Sequence, residues 1–330
     1  MKKFKKDVVI ASTIDPGNGD KGPHAISVVQ SSYGLKKGQV VVCNFADSSG
    51  NAGKGTTAEV IDPKTGSTKT FVQSSKIEGC AGVATTLGNE VCAAGMSAKK
   101  VVCFDRHGHV LKAYGSPLVA PFDDADAHCV QGPSCLYNAE YIFASDANTG
   151  GIVDWSINNY GNPHEIQVAS GFAVNKQSGW GALGPSGLSY DAKPDLLYIA
   201  DGSTNTVVVF TNASTLLVKN EIVVLKGGKT FKCKYHGSQT PCGKLVYAGS
   251  PLNAPVAMTV LPNGNVIAAN SAGGNTLVEI SSAGKVLATK VVDTSTTQGV
   301  FALRAIGTND GNTALYYTDT NDNSLHELEQ

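Results

Sequence analysis

Charge is scarce in this chain. Lys, Arg, Asp and Glu make up 16% of its 330 residues, and the net charge is −1. No stripe of Lys or Arg breaks that balance, so electrostatics offer no case for a nucleic-acid partner. Long apolar runs are missing too. Val8 to Ala11 is far too short for a signal core or a membrane span. No segment sustains a helical apolar period, and no Gly/Ser linker divides the chain. CxxC spacing is absent, which weakens zinc-ribbon and thioredoxin-like assignments. There is no GxSxG elbow and no Gly-rich phosphate loop ahead of a helix.

What is abundant is glycine, at 37 residues. Together with Ser, Thr and Asn it suits a β protein built on tight turns. A short phrase recurs along the chain. Pro185-Ser186-Gly187-Leu188 leads to Leu197-Tyr198-Ile199-Ala200-Asp201, then to Val207-Val208-Val209-Phe210. Pro255-Val256-Ala257-Met258 leads to Val266-Ile267-Ala268-Ala269-Asn270, then to Leu277-Val278-Glu279-Ile280. Further entries align at Pro23, Cys80, Pro121 and Val300, each followed by a second strand: Val40 to Asn44, Glu90 to Ala94, Tyr141 to Asp146, and Leu315 to Asp319. Repeats of this kind cannot bury their faces alone, but a ring of them can. The spacing predicts an all-β, six-bladed propeller occupying 1–330 as one domain. Seven blades is the alternative, because 120–141 and 219–249 could hold extra strands.

The last copy ends after its third strand, Ser324 to Leu328, and Asp7-Val8-Val9-Ile10-Ala11 has no blade of its own. The N-terminal strand is therefore expected to close the ring and remove an exposed sheet edge. Residues 1–6, rich in Lys, are expected to form a solvated tail. His107, His109 and His326 are expected on the outer rim.

Eight cysteines form an even set. Cys129 with Cys135, and Cys233 with Cys242, lie close together in polar loops and read as local staples. Cys43, Cys80, Cys92 and Cys103 allow three pairings. The pattern suits an oxidising compartment. The expectation is the mature part of an exported protein, periplasmic or extracellular, whose leader lies outside this sequence.

In each blade the start of the inner strand and the end of the second share one face of the disc. Two rings should therefore converge on one channel mouth. The first holds His24, Asp123, Ser186, Val256 and Phe301; the second holds Asn44, Ala94, Asp146, Asp201, Asn270 and Asp319. Candidate ligand contacts are His24, Asp123, Asp124, Trp180, Ser186 and Phe301. Candidate ligands for a divalent cation such as Ca²⁺ are His24, Asp123, Asp146, Asp201, Asn270 and Asp319. Turn capping competes for every strand-ending Asp or Asn. Asp123, Asp124, Asp126 and His128 form an acidic, His-containing cluster beside Cys129, where residue type permits a metal and a polar loop is the plainer account.

The order of the phrases "LYIAD", "NTVVVF", "PNGNVIAAN" and "NTLVEI" resembles the NHL-repeat propellers, notably exported bacterial proteins in the style of streptogramin lyase. Gly19 to Ile26 resembles that group's first-blade motif, although His24 stands where Tyr or Phe is expected. The resemblance implies the disulfides Cys80–Cys103 and Cys43–Cys92. It also implies, as alternative to a non-enzymatic binder of a small ligand or protein, a metal-assisted hydrolase or lyase of lactonase type. That chemistry leans on a His-rich mouth, and here only His24 and His128 qualify.

Overall fold

A computed structural model describes residues 1–128, 140–156, 165–176, 183–309 and 311–330. Six antiparallel blades are arranged as a β-propeller. Blades 1 and 2 run Lys21–Val28, Val40–Ala46, Ala52–Asp62, Ser67–Gln73, then Cys80–Thr85, Val91–Gly95, Lys100–Phe104, Val110–Tyr114. Blade 3 begins Pro121–Ala127, Tyr141–Asp146, Gly151–Ser156, Glu165–Ser170. Blades 4 and 5 run Pro185–Asp191, Leu196–Asp201, Thr206–Thr211, Cys242–Ala248, then Pro255–Val260, Val266–Asn270, Asn275–Ile280, Val286–Asp293. Blade 6 comprises Val300–Ile306, Ala314–Asp319, Ser324–Glu329 and, as its outer strand, Lys6–Ser12. Among the described residues the helical segments are two single 3₁₀ turns.

Burial explains the strand sequences. Second strands such as Val266–Asn270 are buried at every position, because blades cover both faces, so they read as continuous small apolar runs. The outer strand Val286–Asp293 instead alternates between exposed and half-buried over most of its length, since one face meets water. Blades 3 and 4 interlock through Phe143, Ile152, Leu188, Leu197 and Phe210. Trp155 is fully buried against Tyr114, 4.7 Å between ring centres.

A register shift marks the entry of every inner strand, from Pro23/Ala25 through Val300/Ala302. Such bulges re-aim the side chains that follow. Just past them the strands nearly touch. A Cβ on Gly82 would lie 2.6 Å from Asp123 Cα, and one on Gly187 would lie 2.6 Å from Ala257 Cα. Close backbone approach is thus the reason small residues recur two positions after five of the six entries, with Asp123 of blade 3 the exception.

Lys6–Ser12 pairs antiparallel with Ser324–Glu329, from Lys6 opposite Glu329 to Ser12 opposite Ser324. The expected closure is present. The tail before it is not wholly solvated: its lysines are exposed, but Met1 and Phe4 pack into the core of blades 5 and 6. The stretch 219–249 does hold extra strands, yet they make no seventh blade. Ile222–Leu225 and Thr230–Cys233 form a hairpin that extends blade 3, with Ala169 opposite Ile222 in parallel pairing.

Cys233–Cys242 forms, tying that hairpin to the outer strand of blade 4. Cys129 and Cys135 lie outside the described residues. The remaining four pair as Cys43–Cys80 and Cys92–Cys103, which corrects the expected Cys80–Cys103 and Cys43–Cys92. The reason is strand order. Cys92 lies directly opposite Cys103 on adjacent strands. Cys80 is two strands from Cys103, about 9–10 Å at ordinary spacing, beyond the roughly 7 Å a disulfide spans.

Candidate functional site

The register brings the two rings to one face, as inferred. Pro121 lies opposite Asp146, Pro185 opposite Asp201, Pro255 opposite Asn270 and Val300 opposite Asp319. The mouth itself is plugged. His24 is sandwiched between Phe45 and Phe301, ring centres 4.2 and 4.1 Å away, with Phe122 at 6.5 Å. Phe122, Val256 and Phe301 cluster with Met96, Val174 and Leu183. Blade 3 thus contributes Phe122 to the first ring, and Asp123 falls one layer deeper. Ser186 is buried, its hydroxyl bonded to the Pro255 carbonyl at 3.1 Å, so it joins blades 4 and 5. Trp180 lies outside the described residues.

Burial pushes the His24 imidazole down to about 3, so it stacks as a neutral aromatic ring. The unfolded chain takes up a proton near pH 6.5 that the folded chain refuses, so this site loses stability as pH falls. Wild type is expected to lose about 2–3 kcal/mol here between pH 7 and 4.5. His24→Phe should abolish that increment, measured as the difference between the two proteins' unfolding free energies across this range. Parallel pH profiles would refute it.

The second ring caps turns. Asp146 accepts from Ala120 N at 3.0 Å and from Asn148 N and Thr149 N at 3.0 and 2.8 Å. Asp201 takes Ser203 N and the Thr204 hydroxyl; burial, resisted by those bonds, raises it to about 6. Asn270 bridges Asn253 N and the Pro251 carbonyl. Asp319 accepts from Asn321 N, and burial raises it to about 6. The proposed cation set is therefore not assembled. Ala94 packs between blades 2 and 3 and offers no ligand atom.

Asp319 has other company. With Asp322 and His326 it forms a group whose ligand atoms lie within 4.8 Å. His326 is buried, not on the rim, and Tyr317 stacks on it at 4.6 Å. Its Nε2 meets Ser324 Oγ at 2.6 Å, and its Nδ1 meets Asp7 Oδ1 at 3.1 Å. This Ser–His–Asp order resembles a nucleophilic triad. However, Ser324 also donates to Asp322 at 2.5 Å, and the three line none of the cavities described below. The cluster locks the closing strand.

Burial works to raise Asp7, but hydrogen bonds from His326 and Tyr317 outweigh it and hold the carboxyl low. Burial works to lower His326, but Asp7 and Asp322 outweigh it and hold the imidazole high. The Asp7 contribution is lost as pH falls below about 4, and the His326 contribution as pH rises past about 6.5. The gap in Tm between wild type and Asp7→Asn should peak near pH 5 and shrink on both sides. A gap that ignores pH would mean Asp7 acts through packing alone.

Inside the channel, His24, Asp123, Asp124 and Arg304 enclose a cavity of ≈ 10 Å³, room for about one water. Asp123 accepts from Leu188 N and Asp124 N at 2.8 and 2.9 Å. The residue is half-buried, and desolvation, against those bonds, pushes its carboxyl to about 7. Burial and the Asp123 charge push Asp124 well up. Arg304 is lowered by burial, resisted by Asp123 and Asp126.

The opposite face, where the inner strands end, is open. A cavity of ≈ 500 Å³ is lined by Lys37, Asp126, His128, Ser189, Tyr190 and Arg304, among others. It adjoins one of ≈ 870 Å³, the two sharing Tyr190, Ala192, Val260, Ala305 and Gly307. Tyr190 donates to Asp195 at 2.8 Å, and burial with the Asp195 charge raises its hydroxyl far above the usual range. His128 Nδ1 meets Asp126 Oδ2 at 2.7 Å, and Glu140 accepts from Leu87 N at 2.6 Å. Burial and the Asp126 charge hold Glu140 up to about 8.

No protein-family model matches the sequence, and neither does any curated protein. Solved structures do match. A catalytically inactive virginiamycin B lyase from Staphylococcus aureus with quinupristin is similar at 16% identity and TM-score 0.54, covering 98% of this chain and 85% of the lyase. A gluconolactonase from Xanthomonas campestris is similar at 11% identity and TM-score 0.59, covering 98% and 89%. A chain of a nidogen/laminin complex is similar at 13% identity and TM-score 0.55, covering 85% of this chain and 83% of that one. At these identities the likeness is one of fold. The propeller scaffold hosts unrelated activities, so the site must speak for itself.

The mouth that the repeat pattern points to is the end of the channel that His24 and its aromatic neighbours plug. Sequence reasoning passed over Arg304, Tyr190 and Glu140. One signal was available: Arg304 falls in an inner strand, four residues after the entry at Val300, where the other blades carry small residues such as Ser27 and Ala84.

Proposed function

We propose that this protein binds a small polar organic molecule in the adjoining cavities on the face where the inner strands end. The observation that carries this is their size and lining: ≈ 500 and ≈ 870 Å³ beside Arg304, Lys37, Ser189 and Tyr190. Volumes of this order suit small-molecule ligands. Arg304 supplies a fixed donor fork at the inner wall, suited to a carboxylate or a row of hydroxyls. The three disulfides among the described residues support an exported setting, periplasmic or extracellular.

A panel of sugars, sugar acids and lactones tested by thermal shift examines this reading. The expected result is a compound that raises the Tm of wild type but not of Ala192→Trp, which fills the region shared by both cavities. A compound that stabilises both proteins equally, or a panel without any effect, counts against it.

A second reading, metal-assisted hydrolysis or lysis in the same cavity, is favoured by one observation. Asp126 and His128 line its wall, and Glu140 is grouped with them. A metal there would polarise a carbonyl. Turnover of a lactone in the panel would favour this over simple binding.

A further inference from the structure

Asp126, His128 and Glu140 each offer a ligand atom within 4.8 Å of the others. We infer that these three side chains hold one first-row divalent metal ion of the zinc class, with an open coordination position facing the ≈ 500 Å³ cavity. The inference deepens the ligand-site reading above, but its test needs no organic ligand.

Local geometry assembles the group. Asp126 is near the end of the inner strand of blade 3, and His128 is two residues on, hence on the same side of the chain. Ala127 lies opposite Tyr141, so Glu140, one residue earlier, sits across from His128. Glu140 is held in place by Leu87 N from blade 2.

A second observation points to a missing cation. The Asp126 side chain is 1% exposed, and one of its oxygens bonds His128. The other, Oδ1, is buried and meets no N–H or hydroxyl donor; the polar group beside Asp126 there is the Glu140 carboxyl, a fellow metal-ligand type. A buried carboxylate oxygen without such a donor is expensive, and a bound cation is the usual remedy. The donor set selects the metal. Two carboxylates with an imidazole fit zinc and its neighbours, whereas calcium prefers a larger all-oxygen shell. Three protein ligands leave zinc a fourth position, and both Asp126 and His128 line the cavity.

The test is titration of the EDTA-treated full chain with ZnCl₂ against a chromophoric chelator. One equivalent should bind, and zinc should raise the Tm reversibly with EDTA. His128→Gln should weaken binding at least about tenfold, and His128→Gln with Glu140→Gln at least about 100-fold. His326→Gln should bind as wild type does. Should the double variant not fold, the single change decides, since the His128 ring is 18% exposed. Undiminished binding in the His128 variant and the double variant, loss of binding in His326→Gln or His109→Gln, calcium bound more tightly than zinc, or no zinc uptake at micromolar concentration would each overturn the assignment. Intact zinc binding with a failed compound panel sinks the cavity reading alone; the converse sinks this site alone.

Discussion

Deletion of residues 1–12 is expected to lower the Tm by on the order of 10 °C and to make the protein prone to aggregation. The closing strand is held from Lys6 opposite Glu329 to Ser12 opposite Ser324. Removing it strips blade 6 to three strands and bares the edge of Ser324–Glu329. Each lost strand hydrogen bond is worth about 0.5–1.5 kcal/mol net. Met1 and Phe4, both 5% exposed, add about 1.5–3 kcal/mol apiece in lost burial. Tyr317 would also lose its 2.7 Å bond to Asp7. Each kcal/mol shifts the midpoint of a domain this large by about 2 °C or somewhat more. Melting curves by circular dichroism decide it. An unchanged curve would mean that inter-blade packing alone holds the ring.

Cys43→Ala with Cys80→Ala should destabilise the protein by about 4 kcal/mol, and Cys92→Ala with Cys103→Ala by about 3 kcal/mol. The first bond closes a separation of 37 residues and ties blade 1 to blade 2. The second closes 11 residues within blade 2, where adjacent strands already hold the ends together. Loop entropy in the unfolded chain therefore favours the first. Denaturant unfolding of each variant against wild type supplies the measurement, and non-reducing peptide mapping should recover both linkages. Recovery of Cys80–Cys103 would contradict the strand order of blade 2.

The difference between these pairings shows where sequence reasoning stops. Residue pattern located Cys92 and Cys103 on second and third strands, but not which positions along those strands face each other. Register depends on bulges, and a shift of one residue moves a side chain to the other face. Asp123 shows how much one position matters: one residue after the entry, where blades 1, 4, 5 and 6 have His24, Ser186, Val256 and Phe301, blade 3 has Phe122, and Asp123 comes one position deeper. His326 was read as a rim residue because an isolated polar position on a third strand gives no sign of Asp7, more than 300 residues away in sequence.

By itself the sequence determined the all-β class, the six copies, the closing strand and the turn-capping acids. These follow from local periodicity and turn chemistry, which need only neighbouring residues. Only the tertiary structure decided which end of the channel is open. Aromatic rings from blades 1, 3 and 6 meet around His24 and seal one mouth. Arg304, Tyr190, Asp126 and His128, from blades 6, 4 and 3, gather at the other. Ring closure brings together side chains from distant repeats, and no single repeat carries the information about what its counterparts across the channel present.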